Sequence, residues 1–386
     1  MSNRSSSSDV VVVGAGAVGL AVAWRAAQRG LRVTVLDRAT APGAGTSAVA
    51  AGMLAPVSET IATELPLMRL GLASAEAYPE FVHELSDASG LDPGYLRCGT
   101  LLAARDADEA EALGRELALR ESLGLAVHRL RASEARRVEP ALAPTLRLAL
   151  EIPDDHAIDP RKLTAALARA LSAGGGELRL GVDVRGVAIA HDRVIGVRLA
   201  DGSEIPAENV VVAAGPWSSS LDGIPDGARI PIHPIKGQIL RLHDPAGPGL
   251  LTRVLRMTGG YVVPRGDGRY VLGATMEERG FDTTVTAGGA FELLRDAFEL
   301  LPSVTELVID ELSAGLRPTT PDNAPAIGPG SVPGLHWAVG HYRHGILLTP
   351  ITAELVVGAL TGENNVPDEF SATRFAGAAV AAGVGS

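Results

Sequence analysis

Three short stretches hold the residue types and spacings that could do chemistry. In VVVVGAGAVGL, residues 10–20, Gly14, Gly16 and Gly19 stand in G-x-G-x-x-G order, and Asp37 follows 18 residues after Gly19. That spacing suits a pyrophosphate and a ribose. Gly14 permits a tight turn, Gly16 lets the backbone approach the phosphates, Gly19 lets a helix pack on a sheet, and Asp37 accepts hydrogen bonds from ribose hydroxyls. Ala17 and Val18 open the helix whose N-terminal N–H groups and positive dipole face the anion. In LSAGLRPTTPD, residues 312–322, Arg317 ends a strand just before a proline. A guanidinium there is costly to bury without a partner, so it either makes a surface ion pair or grips an anion. In GHYRHGILLTP, residues 340–350, His341, Arg343 and His344 sit between two glycines and a run of leucines. Such groups face water or a ligand.

The elements that must position these residues are legible around them. Residues 10–13 are a short all-apolar run, as in a parallel strand buried on both faces. A helical segment to about Arg29, a closing Gly30 and a second strand ending at Asp37 complete the unit. GTSAVAAGMLAP, residues 45–56, is small and Gly/Ser-rich, and could start a second helix along an extended cofactor, with Thr46 and Ser47 bonding phosphate or ribityl groups. ENVVVAAGPWSSSL, residues 208–221, reads as a buried strand ending at Ala214-Gly215 that returns to the first sheet. Helices are predicted over 65–89, 106–123, 133–138, 158–176 and 286–300. In 158–176, Asp159 is the N-cap and Pro160 the first helical residue. Strands are predicted at 97–105, through 177–213, at 235–242, 260–264 and 269–275, and as one long strand over 304–318. Thr349 caps a last helix whose first position is Pro350, which makes 340–348 the loop feeding a helix N-terminus.

These elements predict an α/β chain, α+β overall. A Rossmann-like dinucleotide unit takes 9–90, 139–222 and 315–386. A substrate unit built on an antiparallel sheet takes 91–138 and 223–314, and residues 1–8 are expected to be disordered. A single glycine fingerprint argues against a separate NAD(P)H domain and for a flavin reduced directly by substrate.

Bulk properties exclude several classes. The chain has 386 residues, enough for two cores, with 46% hydrophobic and 20% charged residues. A net charge of −11 without a basic run disfavours nucleic acid and anionic membranes. The one cysteine, Cys98, cannot pair within the chain and reads as a small buried hydrophobe. No metal-ligand spacing is present. The apolar stretch 10–24 resembles a signal-peptide core, but Asp9 at its edge and the ordered glycines argue against one. It is also shorter than the roughly 20 residues a bilayer needs. The expectation is a soluble cytoplasmic protein.

Together VVVGAGAVGL, TSAVAAGMLAP, VVVAAGPW, GYVVPR, GATMEE, GLRPTTPDNAPAIGP and GHYRHGILLTP resemble the D-amino-acid oxidase superfamily, and within it the glycine oxidases of thiamine biosynthesis. The likeness runs from about residue 9 to 362. It implies non-covalent FAD and oxidation of glycine, and of small D- or N-methyl amino acids, to an imine, which for glycine hydrolyses to glyoxylate. O2 would be the acceptor and hydrogen peroxide the by-product, in a homotetramer that feeds thiazole synthesis. It further implies that Arg317 clamps the substrate carboxylate, that Tyr261 donates a second hydrogen bond to it, and that Arg343 also reaches the substrate. Met53 and Met276 match pocket-lining positions. Cofactor contacts are implied at Arg38, Gly45, Thr46, Ser47, Ala51, Gly52, Met53, Val184, Ala214 and Gly215. The loop contributes Tyr342, Arg343, His344, Gly345, Ile346, Leu347 and Leu348, largely through backbone. His341 and His344 read as packing or backbone-bonding groups rather than catalysts.

Three rival readings remain at this level. Sarcosine-oxidase-like enzymes carry a covalent flavin on a cysteine shortly after the strand end equivalent to LRPTT, where this chain has Thr319 and Thr320. A quinone-reducing amino-acid dehydrogenase would favour a membrane-contacting surface, and no basic amphipathic helix is present. A non-catalytic flavin-binding module is the third.

Overall fold

The computed structural model describes residues 8–363 and 365–376. Its first sheet is organised by Ser8–Val13, whose buried residues face two different cores. Val10 and Val12 pack among helices, while Val11 and Val13 pack on the opposite side with Val184, Val187 and Trp337. That two-sided burial is why the run is continuous rather than alternating. In parallel register lie Glu177–Leu180, Val33–Asp37, Ser8–Val13, Glu204–Val212 and Leu335–Val339, in that spatial order. The antiparallel pair Val184–Ala190 and Arg193–Leu199 extends the sheet from the near end of Glu204–Val212, and Ala326–Pro329 pairs with Leu335–Val339. Helices Ala17–Gln28, Pro160–Ala173, Leu65–Ser89 and Thr349–Leu360 cover one face.

The second sheet has eight strands. Its order is Val308–Thr319, His233–His243, Arg269–Gly273, Gly260–Pro264, Val254–Met257, Thr100–Ala104, Leu148–Ile152 and His128–Arg131. All neighbours are antiparallel except Val254–Met257 against Thr100–Ala104. Ala287–Leu300 packs on it through Leu293, Ala297 and Leu300. A small third sheet of Met53–Leu54, His156–Ile158 and Tyr95–Leu96 lies between the two.

Several sequence expectations are corrected. Ser8 is not a disordered residue: it pairs with Ala207, and its Oγ lies 2.8 Å from Thr34 Oγ1. Residues 1–7 lie outside the described residues. Leu148–Ile152, expected in the dinucleotide unit, is a strand of the second sheet because it completes the pairing of Thr100–Ala104 and His128–Arg131. The long strand starts at Val308; Pro302–Glu306 before it is a 3-10 turn. Asp159 caps its helix as expected, accepting from the N–H groups of Arg161 and Lys162. Thr349 does not cap. It is the first helical residue after Leu348, and its Oγ1 donates to the Gly345 carbonyl at 2.9 Å, because the preceding turns already bring that carbonyl within reach.

Candidate active site

The glycine turn shapes the first wall of the site. Gly14 has φ +113°, and a Cβ there would lie 2.4 Å from the Ala213 carbonyl oxygen; a Cβ on Gly19 would lie 2.1 Å from the Gly14 oxygen. Only hydrogen fits where helix, turn and the strand end at Val212 converge. Helix Ala17–Gln28 follows Gly16, which has no side chain to cap it; Ser47 takes the Ala17 N–H, and the N–H groups of Val18 and Gly19 are left for a ligand. Asp37 is held by the Ala15 N–H at 2.6 Å and the Ala39 N–H at 2.8 Å. Two fixed bonds leave its remaining lone pairs for ribose hydroxyls. Arg38 lies over the Trp217 ring, 4.1 Å from its centroid, just beyond Gly215. Ser47 Oγ accepts from the Ala17 N–H, but Thr46 Oγ1 donates to the Leu316 carbonyl at 2.7 Å. Thr46 thus ties its short helix to strand Val308–Thr319 rather than offering its hydroxyl to phosphate.

One continuous cavity of about 1570 Å³ runs from this turn to the second sheet. A drug-sized ligand fills roughly 300–1,000 Å³, so there is room for a dinucleotide and a small substrate together. Gly14, Gly16, Ala17, Val18, Gly19, Asp37, Arg38, Gly45, Thr46, Ser47, Ala51, Gly52, Val184, Ala214 and Gly215 all line it, as do Tyr342, Gly345 and Ile346. His344, Leu347 and Leu348 are buried behind the lining. They set the backbone of the loop from its far side. Ser74 Oγ donates to the Leu347 carbonyl at 2.6 Å and Tyr78 OH to the Ile346 carbonyl at 2.6 Å. Those bonds, with that of Thr349, fix three successive carbonyls. Since C=O and N–H oppose each other across a trans peptide, the N–H groups of Ile346 and Leu347 point away from the hydroxyls. The residues present therefore fit FAD: a glycine cradle at one end, a positioned acid for ribose, and an ordered loop at a helix start at the other.

At the second sheet, Arg317, Tyr261, Met53 and Met276 also line the cavity. Arg317 Nη1 donates to the Thr275 carbonyl at 3.1 Å and approaches the Lys236 carbonyl at 3.4 Å. Its guanidinium lies over Gly237, where a Cβ would come within 2.5 Å of Nη1. Among the described residues no carboxylate pairs with it. Burial pushes the Tyr261 phenol upward, and the neighbouring Arg317 only partly opposes this, so the hydroxyl stays protonated. Met276 is 68% exposed and sits at the rim, where Tyr342 OH approaches its sulfur at 3.4 Å.

Arg343 lines the cavity but is engaged by carboxylates. Its Nη2 lies 2.8 Å from Glu64 Oε2, and its Nε 3.6 Å from Glu59 Oε2. That occupancy argues against the direct substrate contact the resemblance implies. His341 is buried, with Nε2 3.0 Å from Thr352 Oγ1, and burial beside His344 lowers it to about 3. Burial also lowers His344, against a partial opposing pull from Glu59, so both imidazoles are neutral at physiological pH. They are packing groups.

Glu59 and Arg256 are functional candidates that the sequence reading missed. Burial raises Glu59, but Arg256, His344, Arg343 and Arg317 together outweigh it and hold the carboxyl below its usual range. Arg256 is opposite Tyr261 on the adjacent strand. Neither carries a local signal: Glu59 lies in an irregular segment between strand and helix, and Arg256 looks like an outward residue of a short strand. Trp217 was visible only as part of the strand end.

Among the described residues no group of His, Cys, Asp and Glu could hold a metal ion, and no helix is long and apolar enough to cross a membrane. Residues 9–359 match the family described as FAD dependent oxidoreductase. Glycine oxidase of Geobacillus kaustophilus is 35% identical over 96% of this chain and 97% of its own length, and a crystal structure of glycine oxidase from that organism superposes with TM-score 0.88, covering 95% of this chain and 98% of that one. The bifunctional protein ThiO/ThiG of Synechocystis is 37% identical over 95% of this chain, which spans only 54% of that protein's length. The crystal structure of iminodiacetate oxidase from Chelativorans sp. BNC1 has TM-score 0.84 at 30% identity, covering 94% of this chain and 98% of that one. With the glycine cradle, the acid and the two-sheet cavity, these likenesses place the chain in the FAD-dependent oxidoreductase family.

Proposed function

We propose that this chain is a glycine oxidase. It converts glycine, sarcosine and small D-amino acids to the imine, which water hydrolyses to the matching 2-oxo acid and free amine (glyoxylate and ammonia from glycine), passes the electrons to O2 with formation of hydrogen peroxide, and supplies the thiazole of thiamine. The observation that carries the reading is Arg317, a cavity-lining guanidinium with no carboxylate partner among the described residues, beside the protonated Tyr261 hydroxyl. That pair matches one substrate carboxylate. The 35%-identical glycine oxidase supports the choice of amine.

FAD held by the glycine turn, Asp37 and the loop 342–348 would supply the acceptor for a hydride from the substrate's α-carbon. The protein's contribution is position. Arg317 and Tyr261 hold the carboxylate and so fix the direction of the α-hydrogen. The substrate reacts with its amine neutral, because the nitrogen lone pair drives hydride departure, and no side chain is assigned as general base. Gly345 and Ile346 line the far end of the site, and their backbone N–H groups favour developing negative charge there.

The proposal extends to non-covalent FAD, a cytoplasmic homotetramer, and the division into a dinucleotide-binding and a substrate-binding unit. The test is anaerobic titration of the yellow protein, followed by acid precipitation. Glycine, sarcosine and D-alanine should bleach the flavin, and acid should release all the colour. An unresponsive flavin would leave a binding module, and faster bleaching by D-phenylalanine would remove glycine as the substrate.

A further inference from the structure

The backbone of segment 55–60, which carries Glu59 beside the cavity, is tied closely from several sides. Asp155, fully buried between strands Leu148–Ile152 and His156–Ile158, accepts from the Val57 N–H at 3.0 Å and the Ser58 N–H at 2.7 Å. Arg120, 1% exposed near the end of helix Ala107–Ser122, donates from Nε to the Val57 carbonyl at 3.0 Å and from Nη2 to the Ser58 carbonyl at 2.8 Å. Arg256 Nη1 donates to the same Ser58 carbonyl at 2.6 Å. Two successive residues thus give both N–H groups to one carboxylate and both carbonyls to one guanidinium.

Burying two charges this way is a poor route to stability, since apolar side chains of like volume commonly serve as well. It is a good route to fixed geometry. The residue that follows needs it. Glu59 reaches Arg256 at 3.5 Å, Arg343 at 3.6 Å and His344 at 3.4 Å. These contacts are long for charge-assisted hydrogen bonds, which run near 2.7–2.9 Å. Charge attraction therefore draws the Glu59 carboxylate toward these cations without a directional hydrogen bond to fix it, and the backbone behind it decides where the carboxylate stands. In that place Glu59 and Glu64 match Arg256 and Arg343 in charge, and Arg317 is the cation left for a substrate carboxylate.

We propose that Asp155 and Arg120 are positioning residues for amine oxidation: they clamp the Val57–Ser58 backbone so that Glu59 stays against Arg256 and Arg343 and leaves the substrate carboxylate to Arg317. If the clamp loosens, Arg256 and Arg343 compete for that carboxylate. The substrate then binds with comparable affinity but with its α-hydrogen misplaced. The inference rests on the proposed substrate site at Arg317.

The experiment is a double-mutant cycle on the FAD-loaded protein with Asp155→Asn, Glu59→Gln and the pair, read by kcat and KM for glycine. Asp155→Asn should lower kcat roughly 10- to 100-fold, the scale expected for a small misplacement of substrate, with KM changed less than about threefold. In the Glu59→Gln background the same change should cost less than about threefold, because the group it positions is already neutralised. An equal loss in both backgrounds, or wild-type kcat in Asp155→Asn, overturns the proposal. Arg120→Lys is carried through the same cycle, and its result decides should Asp155→Asn not accumulate with FAD. If glycine fails to bleach the wild-type flavin, the substrate assignment falls, and the cycle is run with the amine that does bleach it. If wild type responds and the cycle is additive, only the positioning role falls.

Discussion

Arg317 and Arg343 line one cavity and differ in what already holds them: carbonyls in the first case, Glu64 and Glu59 in the second. A guanidinium bound by neutral carbonyls keeps its charge for a ligand, whereas one bound by carboxylates has largely been matched. Arg317→Lys would retain the charge but lose the planar fork and its paired N–H donors. Losing one charge-assisted bond and the orientation it gives should cost about 2–4 kcal/mol in transition-state binding, roughly 30- to 1,000-fold in kcat/KM. FAD content should stay near wild type, because Arg317 lines the cavity at the second sheet, away from the glycine turn, where the substrate is proposed to bind. Steady-state kinetics with a glycolate titration check this; unchanged efficiency and glycolate binding would return Arg317 to a structural role. Cys98 illustrates the opposite outcome at the same scale. Burial pushes its thiol up to about 11, so it remains a protonated, half-buried side chain, as its isolation in sequence suggested.

At the scale of elements, the strand–turn–helix from Ser8 to Gln28 does its work by leaving no room for a side chain. Gly14→Ala would place a methyl 2.4 Å from the Ala213 oxygen at φ +113°. The turn must open, at a cost of about 1–3 kcal/mol for the backbone conformation alone, and its N–H groups leave the phosphate position. The expected outcome is a folded protein with a markedly lower flavin-to-protein absorbance ratio, restored only in part by added FAD; full occupancy as purified would contradict the cradle. The spacing of Gly14, Gly16 and Gly19, and the Asp159–Pro160 cap, were legible because each depends on neighbours a few residues away. The reading of Thr349 as a cap failed for a comparable reason. Whether its hydroxyl meets a helix N–H or the Gly345 carbonyl depends on how residues 342–348 turn, and Ser74 and Tyr78 on a distant helix set that turn.

For the molecule as a whole, buried titratable groups make stability depend on pH. Burial lowers His336 to about 4, and lowers His341 to about 3. In the unfolded chain each titrates near 6.5. Between those values the unfolded state holds the extra proton, so stability falls as pH drops below about 6.5. At pH 5 the loss should approach about 2 kcal/mol for each imidazole. Asp155 works the other way: burial raises it to about 6, so below that pH the folded state holds the extra proton and gains stability. Denaturant midpoints at pH 7.5 and pH 5.0 should therefore show a net loss in acid, and His336→Leu should recover part of it. An equal loss in the variant would mean that His336 takes up its proton without unfolding.

The sequence by itself determined the dinucleotide turn, most helices and the α/β class, because these rest on short-range spacing and on residue types with few alternative uses, whereas Arg317 and Tyr261 were singled out through the family resemblance. Tertiary structure alone decided which charges remain free. Arg343 and Arg317 look alike in sequence, each an arginine near a glycine and a leucine. Their difference comes from Glu59 and Glu64, more than 250 residues away along the chain. Glu59 follows a Val57–Ser58 backbone held by Asp155 and Arg120, which come from a turn and a helix elsewhere in the chain. Likewise Leu148–Ile152 joined the second sheet for want of a partner strand there, a need that only the assembled sheet creates. Coulomb energy and strand pairing act through space, and distance along the chain says little about either.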